Sequence, residues 1–414
     1  MTVEDAFLSG SVPEPERWYL SDLSYVLNAE DMQQITADIR SGQSHRGPFY
    51  LEIHVTDRCN SDCYFCNQRW LKHSPKELDL AHFTQIITGL TNVGLRAVRF
   101  SGGGEPTVHP HIKEMLDFIY ESGLILARFD TNGILLTRDI SDRLVKCHVK
   151  SLHISLQAPT RQSWAQVTKR RPSEFDDVLQ NIRDFLEIDK HKKTSVYISF
   201  SIDEPTFDEV GSMVRLCENL DVRYRIHDLN AYTYSDHFHA VCLPILKDNI
   251  AAIITPGNKH SFRFSNLPSL KSFVETYFPA SKQVTANRAS PACLAPWVGL
   301  LVRANGNVYL CCALSEERHI IGNVFAQDPI DIWYGNTLAR VRWEAKDLYF
   351  PHLNDGIMSA EQDCYRYLPK LYCRDCPVKQ GMFSNPVLDK MLQDQSSRHL
   401  IEASRAAARL SQRR

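Results

Sequence analysis

Cys59-Asn60-Ser61-Asp62-Cys63-Tyr64-Phe65-Cys66 places three thiols in one short loop, directly after the apolar run Phe49–Val55. No histidine lies between them, and a tetrahedral zinc site or a fully ligated four-iron cluster needs four donors. Three thiolates can hold three irons of a cubane 4Fe–4S cluster and leave the fourth iron open to another ligand. An open iron is a place for chemistry as well as for storing an electron.

On either side of this loop the pattern alternates between strand and helix. Strand-like apolar runs fall near Tyr50–Val55, Leu95–Phe100, Leu124–Phe129, Ser151–Leu156, Ser195–Phe200 and Asp221–Ile226. Helix-like stretches separate them, among them Leu80–Leu90, His111–Tyr120, Phe175–Phe185 and Thr206–Leu220. Six β-then-α units imply parallel strands with crossover helices: a partial (β/α)6 TIM-like barrel over residues 49–229, or an open doubly wound sheet. In either, chemistry sits at the C-terminal ends of the strands, which is where the cysteine loop lies.

Residues 1–48 read as a helical lead-in, with a helix start at Asn28 and Asp31 and an apolar face of Met32, Ile35 and Ile39. Residues 230–290 break the βα rhythm. They open with the aromatic, histidine-rich Ala231–His239, continue with helix-like Pro244–Ile254 and Leu267–Phe278, and read either as a segment lining the substrate side or as a surface connection. Residues 291–380 form a second cysteine-bearing unit of α+β type, and residues 381–414 a polar helical tail ending in basic residues.

The formal net charge of the 414 residues is −2, so no global field points to nucleic acid or anionic lipid. No signal-peptide core and no bilayer-length apolar run is present, so a cytoplasmic protein without nucleic-acid or membrane partners is expected. Twelve cysteines in a reducing compartment read as metal ligands or redox groups where they cluster. The mostly single Cys147, Cys217, Cys242, Cys312 and Cys364 read first as small buried apolar residues.

Three further motifs follow successive strands: Ser101-Gly102-Gly103-Gly104-Glu105-Pro106, Thr131-Asn132-Gly133 and Ser155-Leu156-Gln157. With C-x3-C-x2-C after strand one, this order resembles the radical S-adenosylmethionine (SAM) superfamily. The resemblance implies that Cys59, Cys63 and Cys66 hold a 4Fe–4S cluster whose open iron chelates the methionine end of SAM. Gly102, Gly103 and Gly104 would then let backbone approach the ligand, and Glu105 would face its ammonium. Phe65 would pack near the adenine, Asn132 and Ser155 would bind ribose or carboxylate, and Arg170 would pair with the carboxylate or simply begin a charged helix. An electron from the cluster would cleave SAM, giving a 5′-deoxyadenosyl radical that abstracts hydrogen from an unactivated carbon.

The second set is Cys293, Cys311, Cys373 and Cys376, with Gly306 five residues before Cys311 and Ile321-Gly322-Asn323-Val324 after it. It resembles the SPASM/twitch extensions of that superfamily. No cysteine follows Cys376, which implies the shorter twitch form with one auxiliary 4Fe–4S cluster, two clusters in all. The Gly-x4-Cys spacing favours Cys311 over Cys312 as ligand. The same four cysteines would also suit a zinc ribbon in a non-catalytic scaffold.

A fully ligated second cluster can accept or relay an electron, which suits oxidation or epimerisation of a hydroxylated small molecule such as a sugar, aminocyclitol or nucleoside. A flavodoxin or ferredoxin-type protein would be the electron donor. Cys242 or Cys364 would serve an epimerase as hydrogen donor, and His237, His239 or Tyr234 would serve a dehydrogenase as base. The alternative is a maturase acting on a precursor peptide, against which the roughly fifty residues before strand one look short for a leader-binding domain. The resembling molybdopterin cyclase ends in Gly-Gly, whereas this chain ends in Gln412-Arg413-Arg414.

Two outcomes follow for the purified protein. Anaerobic preparations are expected to be brown with about eight irons per chain, whereas colourless protein with a single zinc would sink the two-cluster reading. Cys242→Ala is expected to turn an epimerase into an enzyme giving oxidised or shunt product, and unchanged turnover and product would rule Cys242 out as the hydrogen donor.

Overall fold

The computed structural model describes residues 26–66, 68–191, 193–202, 206–228, 245, 293–312, 314 and 317–350. Tyr234, His237, His239, Cys242, Cys364, Cys373 and Cys376 lie outside them, as does most of 230–290 and all of the tail.

The first six strands are β1 (Tyr50–His54), β2 (Ala97–Ser101), β3 (Ile125–Thr131), β4 (Ser151–Gln157), β5 (Ser195–Ile202) and β6 (Arg223–Asp228). Each pairs in parallel with the next. Helices Leu80–Asn92, Ile112–Glu121, Arg138–Lys146, Glu174–Ile188 and Val210–Leu220 make the crossovers, with Arg161–Thr168 an additional helix after β4. The sheet is open, not closed, and has the partial-barrel topology that the six-unit pattern implied.

The two faces of this sheet differ chemically. On one, Phe83 from helix Leu80–Asn92 meets Phe100 of β2 at 5.9 Å between ring centroids, and Phe100 meets Phe129 of β3 at 5.7 Å. Leu51, Ile53, Ile154 and Ile198, all fully buried, share that apolar face by their alternation. The other face carries Glu52 and His54 of β1, Arg99 and Ser101 of β2, Arg128 of β3 and His153 of β4, all buried, with Asp130 of β3 half-buried among them. The strands are therefore not the uniformly apolar runs that the sequence suggested. They alternate with period two, as a sheet does when its concave face encloses something polar.

The second cysteine unit continues the same sheet. β7 (Gly299–Val302) pairs in parallel with β1, and β8 (Asn307–Tyr309) and β9 (Gly322–Asn323) add antiparallel, giving the strand order β6-β5-β4-β3-β2-β1-β7-β8-β9. Gly306 turns the β7–β8 hairpin at φ 79°, a left-handed conformation that glycine adopts without strain. Asn323 fastens the hairpin, its Nδ2 donating to the Asn305 carbonyl at 3.2 Å and to Asn307 Oδ1 at 2.8 Å.

Helix Ala29–Ser41 begins at a capping box between Asn28 and Asp31, as its sequence predicts, and buries Met32, Ile35 and Ile39. It is more than a lead-in. Lys346 Nζ, from helix Asn336–Tyr349, donates to the Arg40 carbonyl at 2.7 Å, and Trp333 Nε1 donates to the Arg46 carbonyl at 2.6 Å, so this segment joins the barrel to the C-terminal unit. Sequence reading left out helices Arg138–Lys146 and Arg161–Thr168. In the first only Ile140, Ser141 and Leu144 are buried, too short an apolar stripe to stand out.

Candidate active site

The loops after β1, β2 and β3 are built into one body at the strands' C-terminal ends. The Gly104 N–H donates to the Thr56 carbonyl at 3.0 Å and the Glu105 N–H to the Arg58 carbonyl at 2.8 Å. A Cβ on Gly104 would lie 2.0 Å from the Arg58 carbonyl oxygen, and one on Gly103 would lie 2.7 Å from Asp57 Oδ1. Gly104 is thus required by close backbone approach between the two loops, and Gly103 by the side chains of Asp57 and Leu71 packed against it.

Glu105 is buried and gathers donors from two strand ends. Its Oε1 accepts from the Thr107 N–H at 3.2 Å, Thr107 Oγ1 at 2.6 Å and Thr131 Oγ1 at 2.7 Å, and its Oε2 from the Asn132 N–H at 2.6 Å. Burial pushes its carboxyl up, and these donors oppose that shift. Asn132 extends the chain of contacts, with Nδ2 donating to Asn60 Oδ1 at 2.6 Å inside the cysteine loop. Glu105 and Asn132, read from sequence as ligand contacts, are therefore first the ties that hold the loops together.

The cysteine loop is held on its far side by the end of helix Arg161–Thr168. The Asp62 N–H donates to the Thr168 carbonyl at 3.0 Å and the Tyr64 N–H to the Val167 carbonyl at 3.3 Å. Lys72 reaches back to the Ser61 carbonyl at 2.5 Å and to Asp62 Oδ1 at 2.9 Å. Phe65 is half-buried and meets Tyr64 edge-on at 5.3 Å. Arg170 is ion-paired with Glu174, and its buried Nε has no hydrogen-bond partner among the described residues. Ser155 is half-buried on β4.

Among the described residues no three Cys, His, Asp or Glu side chains form a preassembled metal cage. The three thiols are nonetheless within electrostatic reach of one another. Burial, then Cys59 and Cys66, push the Cys63 thiol up to about 12. Thiolates gathered this closely need a cationic centre to take up their charge, so the donor set fits an iron–sulfur cluster.

Below the loops lies the polar face, a belt of register partners. Arg99 faces Glu52 and Arg128, and Asp130, His153, Tyr197 and Arg223 follow one another across β3 to β6. Arg99 Nε donates to Asp130 Oδ2 at 2.8 Å and Arg128 Nε to Asp130 Oδ1 at 2.7 Å. The His153 and Tyr197 rings lie 4.8 Å apart, and Arg223 Nη1 donates to the Tyr197 hydroxyl at 3.0 Å. Nearest the loops, His54 Nε2 stands 3.1 Å from Ser101 Oγ and 3.3 Å from Glu52 Oε1, and its Nδ1 is buried with no partner among the described residues. The period-two alternation in β1 to β6 is the signal by which a sequence reader could have found this belt.

The register separates the two cysteine sets. Gly299 pairs with Tyr50 and Tyr309 with Leu301, so Cys311, two residues beyond, comes level with the start of β1. Cys293 precedes the short helix Ala295–Val298 that leads into Gly299. These two cysteines sit at the strand starts and Cys59–Cys66 beyond the strand ends, roughly 15 Å away along the strands at about 3.3 Å per residue. Cys147 and Cys217 are buried core residues, in line with their reading as apolar filler.

Comparison with known proteins accords with this geometry. The radical SAM superfamily profile matches residues 53–217, and the SPASM iron–sulfur cluster-binding domain matches residues 293–377. The chain belongs to the radical SAM superfamily, with a SPASM-type C-terminal domain, and its cofactors are SAM and 4Fe–4S clusters. A GTP 3′,8-cyclase from Chlorobaculum tepidum is 28% identical over 213 residues, covering 51% of this chain and 61% of the cyclase. The chain thus spans less than two thirds of that relative. The tungsten-containing aldehyde ferredoxin oxidoreductase cofactor-modifying protein of Pyrococcus furiosus is 21% identical over 367 residues, covering 82% of this chain and 97% of that protein. Streptococcus suis SuiB bound to precursor peptide SuiA shares the fold, with TM-score 0.56 and 16% identity over 86% of this chain and 79% of SuiB. No helix among the described residues is long and apolar enough to cross a membrane.

The belt gives the protein a defined response to acid. Burial alone would raise the Glu52 carboxyl, but the Arg99 guanidinium, with His54 and Ser101, holds it well below its ordinary 4.5. A depressed carboxyl stabilises the fold above its unfolded-state pKa and loses that contribution as the pH falls. Glu52→Gln is expected to flatten the fall of the urea midpoint as pH drops through 4.5. An acid limb unchanged in the variant would show that Glu52 carries none of it.

Proposed function

We propose that this radical SAM enzyme acts on a polar, hydroxylated small molecule held against the concave face of the sheet, and oxidises or epimerises it. The polar belt carries this reading. Buried charged and hydrogen-bonding side chains are costly unless partnered, and a wall of alternating carboxylate, guanidinium, imidazole and phenol matches hydroxyl and amino groups better than an apolar peptide side chain. SAM bound at the cysteine loop supplies the hydrogen-abstracting radical.

The protein's part is to hold the target carbon under the loops and to manage protons. His54 is well placed for the second task. It lies one strand level below the glycine loop, Ser101 and Glu52 fix its Nε2 edge, and its Nδ1, buried and without a partner among the described residues, would accept the proton of a substrate hydroxyl that reached it as the neighbouring carbon is oxidised. This adds a base candidate to His237, His239 and Tyr234. Cys293, Cys311, Cys373 and Cys376 are proposed to hold the auxiliary cluster that receives the released electron.

A second reading is nucleotide cyclisation, favoured by the 28% identity to a GTP 3′,8-cyclase across half the chain. Reconstituted enzyme with SAM and dithionite, challenged separately with aminocyclitols, sugars and nucleosides, with GTP, and with short peptides, distinguishes the readings by release of 5′-deoxyadenosine. Stimulation by the first group only is expected. Stimulation by GTP with cyclic product installs the cyclase reading, and stimulation by peptides alone overturns both. With an active substrate, His54→Gln is expected to lower product per 5′-deoxyadenosine at least tenfold while SAM cleavage persists, and an unchanged ratio removes His54 from the proton pathway.

A further inference from the structure

Arg303 stands at the exit of β7 and is 3% exposed. Its backbone is fixed in the hairpin, its N–H donating to the Asn307 carbonyl at 2.9 Å and its carbonyl accepting from the Gly306 N–H at 2.8 Å. Its side chain leaves the hairpin for the other cysteine-bearing unit. Nη2 donates to Gln68 Oε1 at 3.0 Å, two residues beyond Cys66, and the guanidinium carbon lies 5.7 Å from the Trp70 ring centroid and 5.3 Å from that of Tyr309.

This cation is unusual in its surroundings. Its Nε is buried without a hydrogen-bond partner, and among the described residues no carboxylate lies within ion-pair distance of it. Other cations beside the loop do face carboxylates: Lys72 and Arg69 meet Asp62 at 2.9 and 2.8 Å, and Arg58 meets Glu77 at 3.2 Å. Arg303 is within electrostatic reach of Asp57, whose Oδ1 borders the glycine loop at Gly103. Its charge therefore bears on Asp57 beside the glycine loop, and its hydrogen bond to Gln68 ties it to the segment that follows Cys66.

Among the described residues Arg303 has no ion-pair partner and only Asp57 within electrostatic reach; a buried guanidinium so weakly compensated is unfavourable, and aromatic faces offset only part of that cost. An anion bound beside it would complete the site. A cluster held by three thiolates is anionic and gains a further negative charge on reduction, and a fixed cation in a low-dielectric surrounding favours the reduced form. We propose that Arg303 is a positioning residue for the SAM-binding cluster, clasping the loop that carries Cys59, Cys63 and Cys66 from the C-terminal unit and easing entry of the electron into that cluster. This goes beyond the substrate reading and does not depend on it.

The test contains no substrate. Holoenzyme is titrated with dithionite and viologen mediators and followed by electron paramagnetic resonance, taking the signal that changes on SAM addition as the first cluster. Arg303→Met is expected to move that cluster to a more negative potential, cutting its reduced fraction at a fixed poise at least threefold. Arg303→Lys, which keeps the charge but loses the guanidinium's hydrogen bond to Gln68 and its contact with the rings, is expected to stay within twofold of the parent. If Arg303→Met loses its clusters, Arg303→Gln, which retains a donor toward Gln68, replaces it with the same expectation. A neutral variant that titrates at the parent potential overturns the proposal. So does one that loses melting temperature or iron while its remaining cluster titrates as in the parent, because that outcome leaves Arg303 a structural clasp alone.

Discussion

The Glu105 carboxylate is buried where the ends of β2 and β3 meet, and four protein donors converge on it. Hydrogen bonds to a charged group are each worth about 1.5–3 kcal/mol net, and leaving such a group unpaired costs more than that gain. Thr131, Asn132 and Thr107 are therefore not free to drift, and through Asn132 and Asn60 neither is the cysteine loop. The glycine loop is locked from the other side by its backbone bonds to Thr56 and Arg58. The thiols and the glycine loop take their positions from this junction of three loops, above the belt that the strand register sets out.

The belt shows why the usual rule for parallel sheets gives way here. A sheet covered on both faces by apolar layers reads as continuous runs of Val, Ile and Leu. In β1 to β4 only one face obeys, with Leu51, Ile53, Phe100, Phe129 and Ile154 packed under helices. The other face buries Glu52, Arg99, Arg128 and His153, and the half-buried Asp130 links Arg99 to Arg128. Such a network adds less stability than apolar packing of similar volume would. Its retention is understandable if the face is a working surface.

Much of the architecture was legible in the chain because local signals agreed with the global fold. The Asn28–Asp31 capping box, the six strand patterns and the cysteine and glycine motifs at strand ends each point to one arrangement. Strand limits slipped by about two residues because Leu95 and Leu124 are buried connectors that look like strand starts. The alternation within the strands was present in the sequence but hidden by the apolar residues around it. The pairing of β7 with β1 lay beyond local reading, because it joins segments whose proximity no local pattern encodes. Likewise Glu105 and Asn132 were recognisable as motif residues, but their partners Thr131, Thr107 and Asn60 emerge only when three loops are brought together.

The β1–β7 pairing has a consequence for how the chain is made. Tyr50 finds its partner Gly299 about 250 residues later. At a synthesis rate of roughly 5–20 residues per second, the outer edge of β1 waits on the order of 12–50 seconds for its neighbour. Throughout that interval the nascent barrel presents a row of unpaired peptide groups beside the newly emerged cysteine loop, and an unpaired strand edge is a template for mispairing with other chains. Slow translation or scarce chaperone should therefore be felt first as aggregation of barrel-length fragments, and truncation just before residue 299 removes the natural cap of the sheet together with Cys311, Cys373 and Cys376.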